Sequence, residues 1–182
     1  DYYASRGLGD VYKRQMQNTT NHIKRELQLT ADGSHTLFIP EMDEHYHSVN
    51  GAVQESRHVF IEAGLHHLER REITILEIGF GTGLNAFLTL LDAEACQRKI
   101  HYCSIELYPL GTDVIESLNY GEMLCAGRKD VFHALHQAEW NVAVQVTEFF
   151  ELHKIQGDSN TCALPDRIDP VSYTHLTLPT IA

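Results

Sequence analysis

One run of residues leaves this chain few ways to fold: Ile73-Thr-Ile-Leu-Glu77-Ile-Gly79-Phe80-Gly81-Thr82-Gly83-Leu84-Asn85. Ile73 to Ile78 is short, mostly apolar and rich in β-branched side chains, the composition of a buried parallel strand. It stops at a glycine. Three glycines then alternate with other residues, and Leu84 to Leu91 has helical composition. Strand, glycine turn and helix in that order bring backbone N–H groups close to an anionic or polar ligand, and a Cβ would block both the turn and the approach. The spacing is G-x-G-x-G, whereas a dinucleotide fingerprint reads G-x-G-x-x-G. A second strand-like run, Ile100-His-Tyr-Cys-Ser-Ile-Glu106, ends on a carboxylate. In a doubly wound sheet a carboxylate at that place takes the hydroxyls of a ribose. The blander alternative is a plain strand-to-helix turn with a solvated Glu106 nearby.

The 182 residues suffice for one domain with a sizeable core, and the 43% hydrophobic content is that of an ordinary globular chain. No apolar run approaches the length of a membrane span, and no signal-peptide pattern opens the chain. Cys96, Cys103, Cys125 and Cys162 are scattered with no C-x-x-C pair, which predicts reduced cytoplasmic thiols with no metal and no disulfide. The formal net charge of −11 argues against a simple nucleic-acid binder. Any nucleic-acid substrate would need a basic docking surface on a local patch, a partner or another part of the protein.

Both ends of the chain read poorly as protein. Ser5 to Gln15 lacks a hydrophobic period, and GAT GTG TAT AAG AGA CAG, which encodes Asp10 to Gln15, resembles the transposon end used in sequencing libraries. Val171 to Thr180 resembles the translated reverse complement of the same kind of adapter. The expected organisation is therefore an artefactual flank at 1–15, a partial domain at 16–169 and a second such flank at 170–182; the alternative is two real but disordered tails.

Within the middle segment, Glu26 to Thr30 and Thr36 to Ile39 flank an Asp32-Gly33 turn and predict a β-hairpin, ended by Pro40. Glu41 to Gly51 is polar and rich in His and Tyr, and predicts a loop. His45 and His47 there are read as solvated or hydrogen-bonded loop residues, since no third metal ligand is evident. Ala52 to Leu68 predicts one or two helices, with His66-His67 a surface pair. After Pro109, Thr112 or Asp113 is expected to cap a helix reaching Leu118. Tyr120 to Ala126 and Val131 to Trp140 predict further helical pieces, with Trp140 a core or substrate-side aromatic. Thr147 to Ile155 alternates and predicts a single strand leading to Gly157-Asp158.

The string Glu77 to Asn85 resembles the S-adenosylmethionine loop of the MnmC/MnmD tRNA methyltransferases. The resemblance takes in Asp32 to Leu37, Tyr46 to Ile61, Ser104 to Pro109 and Gly157-Asp158, roughly Met16 to Asp169. It implies a Rossmann-like α/β methyltransferase fold, incomplete and represented by its first strands, preceded by a small β-hairpin and helical segment. It implies S-adenosylmethionine as cofactor, with Glu77, Gly79, Phe80, Gly81, Thr82, Gly83, Asn85, Glu106 and Asp158 around it. In this reading Gly79, Gly81 and Gly83 cradle the methionine end, Glu106 holds the ribose and Asp158 flanks the adenine. Asp158 also reads simply as a turn residue. Tyr46, His47, Ser48 and Glu55 fall where family members carry substrate-facing residues.

The implied reaction is methyl transfer to the 5-aminomethyl group of the wobble uridine of tRNA, in the cytoplasm. The family's catalytic-site aspartate belongs to an Asp-x-Phe-Ala-Pro context on the next strand. Here Ile168-Asp169 runs into Pro170-Val-Ser-Tyr, so Asp169 does not fill that role, and the 182 residues alone are expected to be inactive. A half sheet is also expected to carry an open edge after its third strand. Some relatives fuse a flavin-dependent oxidase domain to the methyltransferase. Two other functions stay open: a nicotinamide-linked oxidoreductase, disfavoured because Leu84 stands where a glycine is wanted, and a non-catalytic module that keeps the fold.

Overall fold

A computed structural model of the chain describes residues 23–162. The adapter-like flanks at 1–15 and 170–182 and the Ile168-Asp169 pair lie outside the described residues. Strands β1 (Glu26–Leu29) and β2 (His35–Ile39) form the expected antiparallel hairpin, with Leu29 opposite His35. Asp32 organises its turn. The carboxylate accepts from the Ser34 N–H at 2.9 Å and the Thr30 hydroxyl at 2.7 Å. It also accepts from the backbone N–H of Gln54 at 2.9 Å, in the first turn of α1 (Ala52–Ser56). One side chain thus closes the hairpin and satisfies an orphan donor at the start of a helix. Burial opposes ionisation of Asp32, but hydrogen bonds from Ser34, Gln54 and Thr30 outweigh it and hold the carboxyl down at about 2. The stretch expected to be all loop contributes a two-residue strand, β3 (Glu44–His45), paired with β2. Helix α1 then runs into a π-helical turn, Arg57–Glu62, and a 3-10 turn, Leu65–His67.

The main sheet begins with β4 (Glu72–Ile78), followed by α2 (Leu84–Cys96) and β5 (Lys99–Glu106). Three short helices come next: α3 (Thr112–Ser117), α4 (Tyr120–Leu124) and α5 (Lys129–Gln137). Strands β6 (Ala143–Thr147) and β7 (Phe150–Gln156) complete the described chain. The sheet order is β4-β5-β7-β6, with β4, β5 and β7 parallel and β6 antiparallel to β7.

Three sequence-based expectations are corrected here. Helix α3 is preceded by Gly111 in an extended conformation with no side-chain cap bond, so neither Thr112 nor Asp113 caps it. Thr147 to Ile155 is not one strand: Glu148-Phe149 is the turn between β6 and β7. The third parallel strand has no open edge either, because β6 pairs along it; among the described residues the sheet's outermost strands are β4 and β6.

Register explains where the core stops and a site begins. Ile73, Ile100 and Phe150 form one row across the three parallel strands, and Ile75, Tyr102 and Leu152 form the next. All six are at most 1% exposed and pack in one cluster with Phe87 and Leu90 of α2, Tyr120 of α4 and Phe132 of α5. Full burial of each such side chain contributes roughly 1.5–3 kcal/mol. One row further toward the strand ends, on the same face, the residues become Glu77, Ser104 and Lys154. The apolar face turns polar at the level of the glycine turn.

Candidate functional site

The glycine turn joins β4 to α2. Gly79, Gly81 and Gly83 all have positive φ, at 89°, 50° and 71°. Two of them are also crowded. A Cβ on Gly81 would lie 3.1 Å from the Tyr46 ring, and a Cβ on Gly83 would lie 2.8 Å from Nε2 of His136. Gly83 occupies the left-handed region immediately before α2, where an L side chain is strained in any case.

Glu106 sits at the end of β5, beside the turn, and is 6% exposed. Its Oε2 accepts from the Gly81 N–H at 2.9 Å, and its Oε1 accepts from the Tyr108 N–H at 2.7 Å. Each carboxylate oxygen has a further lone pair, so the group can still accept from ligand hydroxyls. The Glu106 carbonyl accepts from Gly157 N–H at 3.0 Å, which brings the segment after β7 alongside. Asp158 follows, with its Oδ1 accepting from the backbone and side-chain N–H groups of Asn160, each at 2.8 Å. This is the Asx-turn geometry that the simpler reading of Asp158 predicts, and it leaves Oδ2 outside that turn.

Glu77 lies below the turn, 4% exposed. It accepts from Asn85 Nδ2 at 3.1 Å and from the Ser104 hydroxyl at 3.0 Å. Burial pushes its carboxyl up to about 7, against the lowering effect of those hydrogen bonds. The other amide atom of Asn85, Oδ1, is buried without a hydrogen-bond partner among the described residues. Phe80 turns inward: it is 4% exposed, with its ring edge-on to His136 at 5.3 Å and Trp140 at 6.2 Å. Thr82 is 1% exposed and its hydroxyl pairs with His47 Nε2 at 2.7 Å.

The segment after β3 supplies a roof. Tyr46 packs over Gly81, and its hydroxyl accepts from Arg25 Nε at 3.0 Å. Arg25 also donates to the Tyr108 carbonyl at 3.4 Å, spanning the gap to the end of β5. Burial raises the Tyr46 phenol above its ordinary value. Tyr46 and His47 are therefore brought to the glycine turn. Ser48 and Glu55 are joined to each other, through the Ser48 N–H and the Glu55 carboxylate at 3.0 Å, at the entry to α1.

Sequence reasoning passed over two residues that the fold places under the turn. His136 donates from Nε2 to the Thr82 carbonyl at 3.2 Å, and burial, aided by the Lys154 ammonium, lowers its pKa to about 4. Lys154 is 1% exposed, donates to the His136 carbonyl at 2.6 Å and lies over the rings of Trp140 at 4.5 Å and Phe80 at 5.3 Å. Burial lowers its pKa to about 8. The period of β7 held the signal: Lys154 shares the parity of Phe150 and Leu152.

The ensemble is a glycine turn whose crowded positions exclude a Cβ, a helix N-terminus, a buried carboxylate with free lone pairs and an orphaned amide oxygen. It fits a polar ligand bearing hydroxyls and an ammonium or carboxylate end.

No family model matches the chain. It is 36% identical over 104 residues to the tRNA 5-methylaminomethyl-2-thiouridine biosynthesis bifunctional protein MnmC of Magnetococcus marinus, covering 54% of this chain and 15% of that protein. It is 31% identical over 143 residues to the protein of the same name from Cupriavidus necator, covering 75% of this chain and 20% of the other. Among solved structures, MnmC2 from Aquifex aeolicus aligns with a TM-score of 0.60 at 23% identity, over 85% of this chain and 56% of that one. The chain thus spans a fifth or less of these two curated relatives.

Proposed function

We propose, from the premise that the chain is MnmC-type in sequence and fold, that it belongs to an S-adenosylmethionine-dependent enzyme methylating the 5-aminomethyl group of wobble uridine in tRNA. The observation that carries this reading is the link between the glycine turn and Glu106, through the Gly81 N–H at 2.9 Å. It sets a nucleoside-type carboxylate and a cradle without Cβ atoms side by side. When bound, the cofactor supplies an electrophilic methyl group on a sulfonium. Gly79, Gly81 and Gly83, with Phe80, Thr82 and Asn85, hold its amino-acid end in this reading, Glu106 takes the ribose hydroxyls and Asp158 flanks the adenine. Glu77 fixes the Asn85 amide from below.

The attacking group is a substrate amine, so the protein needs no covalent nucleophile. Its task is to hold that amine unprotonated and in line, which is mainly a matter of orientation. Tyr46 and His47, which roof the turn, are the residues of this chain best placed to shape the approach. A carboxylate that positions the amine is expected from outside the described residues. A tRNA substrate places the reaction in the cytoplasm, and no helix among the described residues is long and apolar enough to cross a membrane.

Calorimetry with S-adenosylmethionine and, separately, with NAD tests the assignment. Saturable binding of the first and none of the second is expected. Preferential binding of NAD would replace the methyltransferase reading with the oxidoreductase one.

A further inference from the structure

We propose that His66, Asp92 and Cys96 form a zinc site at the opposite end of α2 from the glycine turn. Asp92 and Cys96 are four residues apart and share one face of the helix. His66 arrives from the 3-10 turn that precedes β4. One ligand atom from each residue lies within 4.8 Å of the other two. Ligands around a tetrahedral zinc sit about 3–4 Å from one another, so small side-chain rotations suffice to close the set.

Asp92 is the pivot. Its Oδ1 pairs with His66 Nε2 at 2.6 Å and lies 3.9 Å from the Cys96 sulfur. Its Oδ2 is buried and has no hydrogen-bond partner among the described residues. A buried carboxylate oxygen left in that state is costly, and a bound cation relieves it. Imidazole, carboxylate and thiolate together make a borderline-soft donor set, which suits zinc and not magnesium or calcium. His66 and Cys96 are exposed, so an ion has a way in and a water can take the fourth position. On binding, the Cys96 thiol gives its proton to solvent, a zinc–sulfur bond forms and no group is oxidised.

The scattered cysteines predicted no metal because no two are close in sequence. The fold removes that objection, since it brings Cys96 to His66 across the whole of β4 and α2. The consequence is a clamp. A metal here would tie the C-terminal end of α2 to the turn leading into β4, an outermost strand of the sheet among the described residues.

Cobalt(II) is the probe, titrated into the reduced 182-residue protein and followed by absorption. A one-equivalent thiolate-to-cobalt charge-transfer band, displaced by zinc, is expected. Cys96→Ser should abolish the band, His66→Ala should weaken cobalt binding at least tenfold, and Cys125→Ser should leave both unchanged. Zinc should raise the Tm of the parent protein and not that of Cys96→Ser. Absence of the band from the parent protein, or its survival in Cys96→Ser, overturns the proposal and leaves a plain His66–Asp92 hydrogen bond.

Discussion

Glu106 has two tasks whose effects can be separated. It accepts the Gly81 N–H, which shapes the glycine turn, and in the proposed reading it accepts ribose hydroxyls with its remaining lone pairs. Glu106→Ala should weaken S-adenosylmethionine binding ten- to a hundredfold, in line with ~1.5–3 kcal/mol for a hydrogen bond to a charged group. Calorimetry reads that change, and unchanged affinity would remove Glu106 from the site. Gly81→Ala tests the turn itself. The new methyl meets the Tyr46 ring at 3.1 Å, and the φ of 50° costs a further ~1–2 kcal/mol for a residue with a Cβ. Truncating the ring in Gly81→Ala/Tyr46→Ala should recover the steric part of the lost cofactor affinity and leave the backbone part. If the double variant binds no better than Gly81→Ala, the Tyr46 roof does not press on the turn.

At the scale of elements, β4, β5, α2 and the hairpin were legible because each carries a complete local signal. The hairpin has its Asp32-Gly33 turn, the strands are apolar runs, and the helix begins at the last glycine. Strand β6 was not legible. Val142, Val144 and Val146 do alternate, but Ala143 to Thr147 is short and half-exposed, and a strand read from Thr147 onward takes in only its last residue. Of the candidate site, the glycines, Glu77 and Glu106 could be named from spacing, whereas Lys154 and His136 could not. Their place under the turn depends on strand register and on the packing of α5, which no local pattern encodes. Lys154 ties β7, α5 and the glycine turn together, through the His136 carbonyl and the Trp140 and Phe80 rings. Lys154→Met keeps the length and loses the donor. It should leave the His136 carbonyl without this partner and destabilise by about 1–3 kcal/mol at neutral pH, read by urea denaturation. A variant as stable as the parent would show that burying the ammonium costs as much as its contacts return.

For the molecule as a whole, acidic charge and buried titratable groups set the terms. With 14 Lys and Arg against 25 Asp and Glu, this segment has no excess of positive charge with which to hold tRNA. Its stability against pH is governed instead by groups with opposite slopes. Glu77 has a folded pKa of about 7, above the ordinary carboxyl value of 4.5, so the native state holds its proton more tightly than the unfolded chain. Its contribution is therefore most favourable below about pH 4.5 and declines as pH rises to about 7. His136 behaves in the opposite sense: with a folded pKa of about 4 against 6.5, its contribution is intact above about pH 6.5 and declines as pH falls toward 4. Between those limits the two slopes oppose each other and flatten the profile. Glu77→Gln removes one of them. It should gain up to ~3 kcal/mol over the parent at pH 8 relative to pH 4.5, from the 1.36 kcal/mol that each pKa unit represents. It should also uncover stability that rises from pH 4 to 6.5, where the unfolded chain still protonates His136 and the native state does not. Urea denaturation of both proteins at pH 4.5, 6 and 8 measures this. A stability difference that does not change with pH would mean that Glu77 titrates in the native state as it does in the unfolded chain, and that its polar neighbours in the row with Ser104 and Lys154 offset the burial penalty.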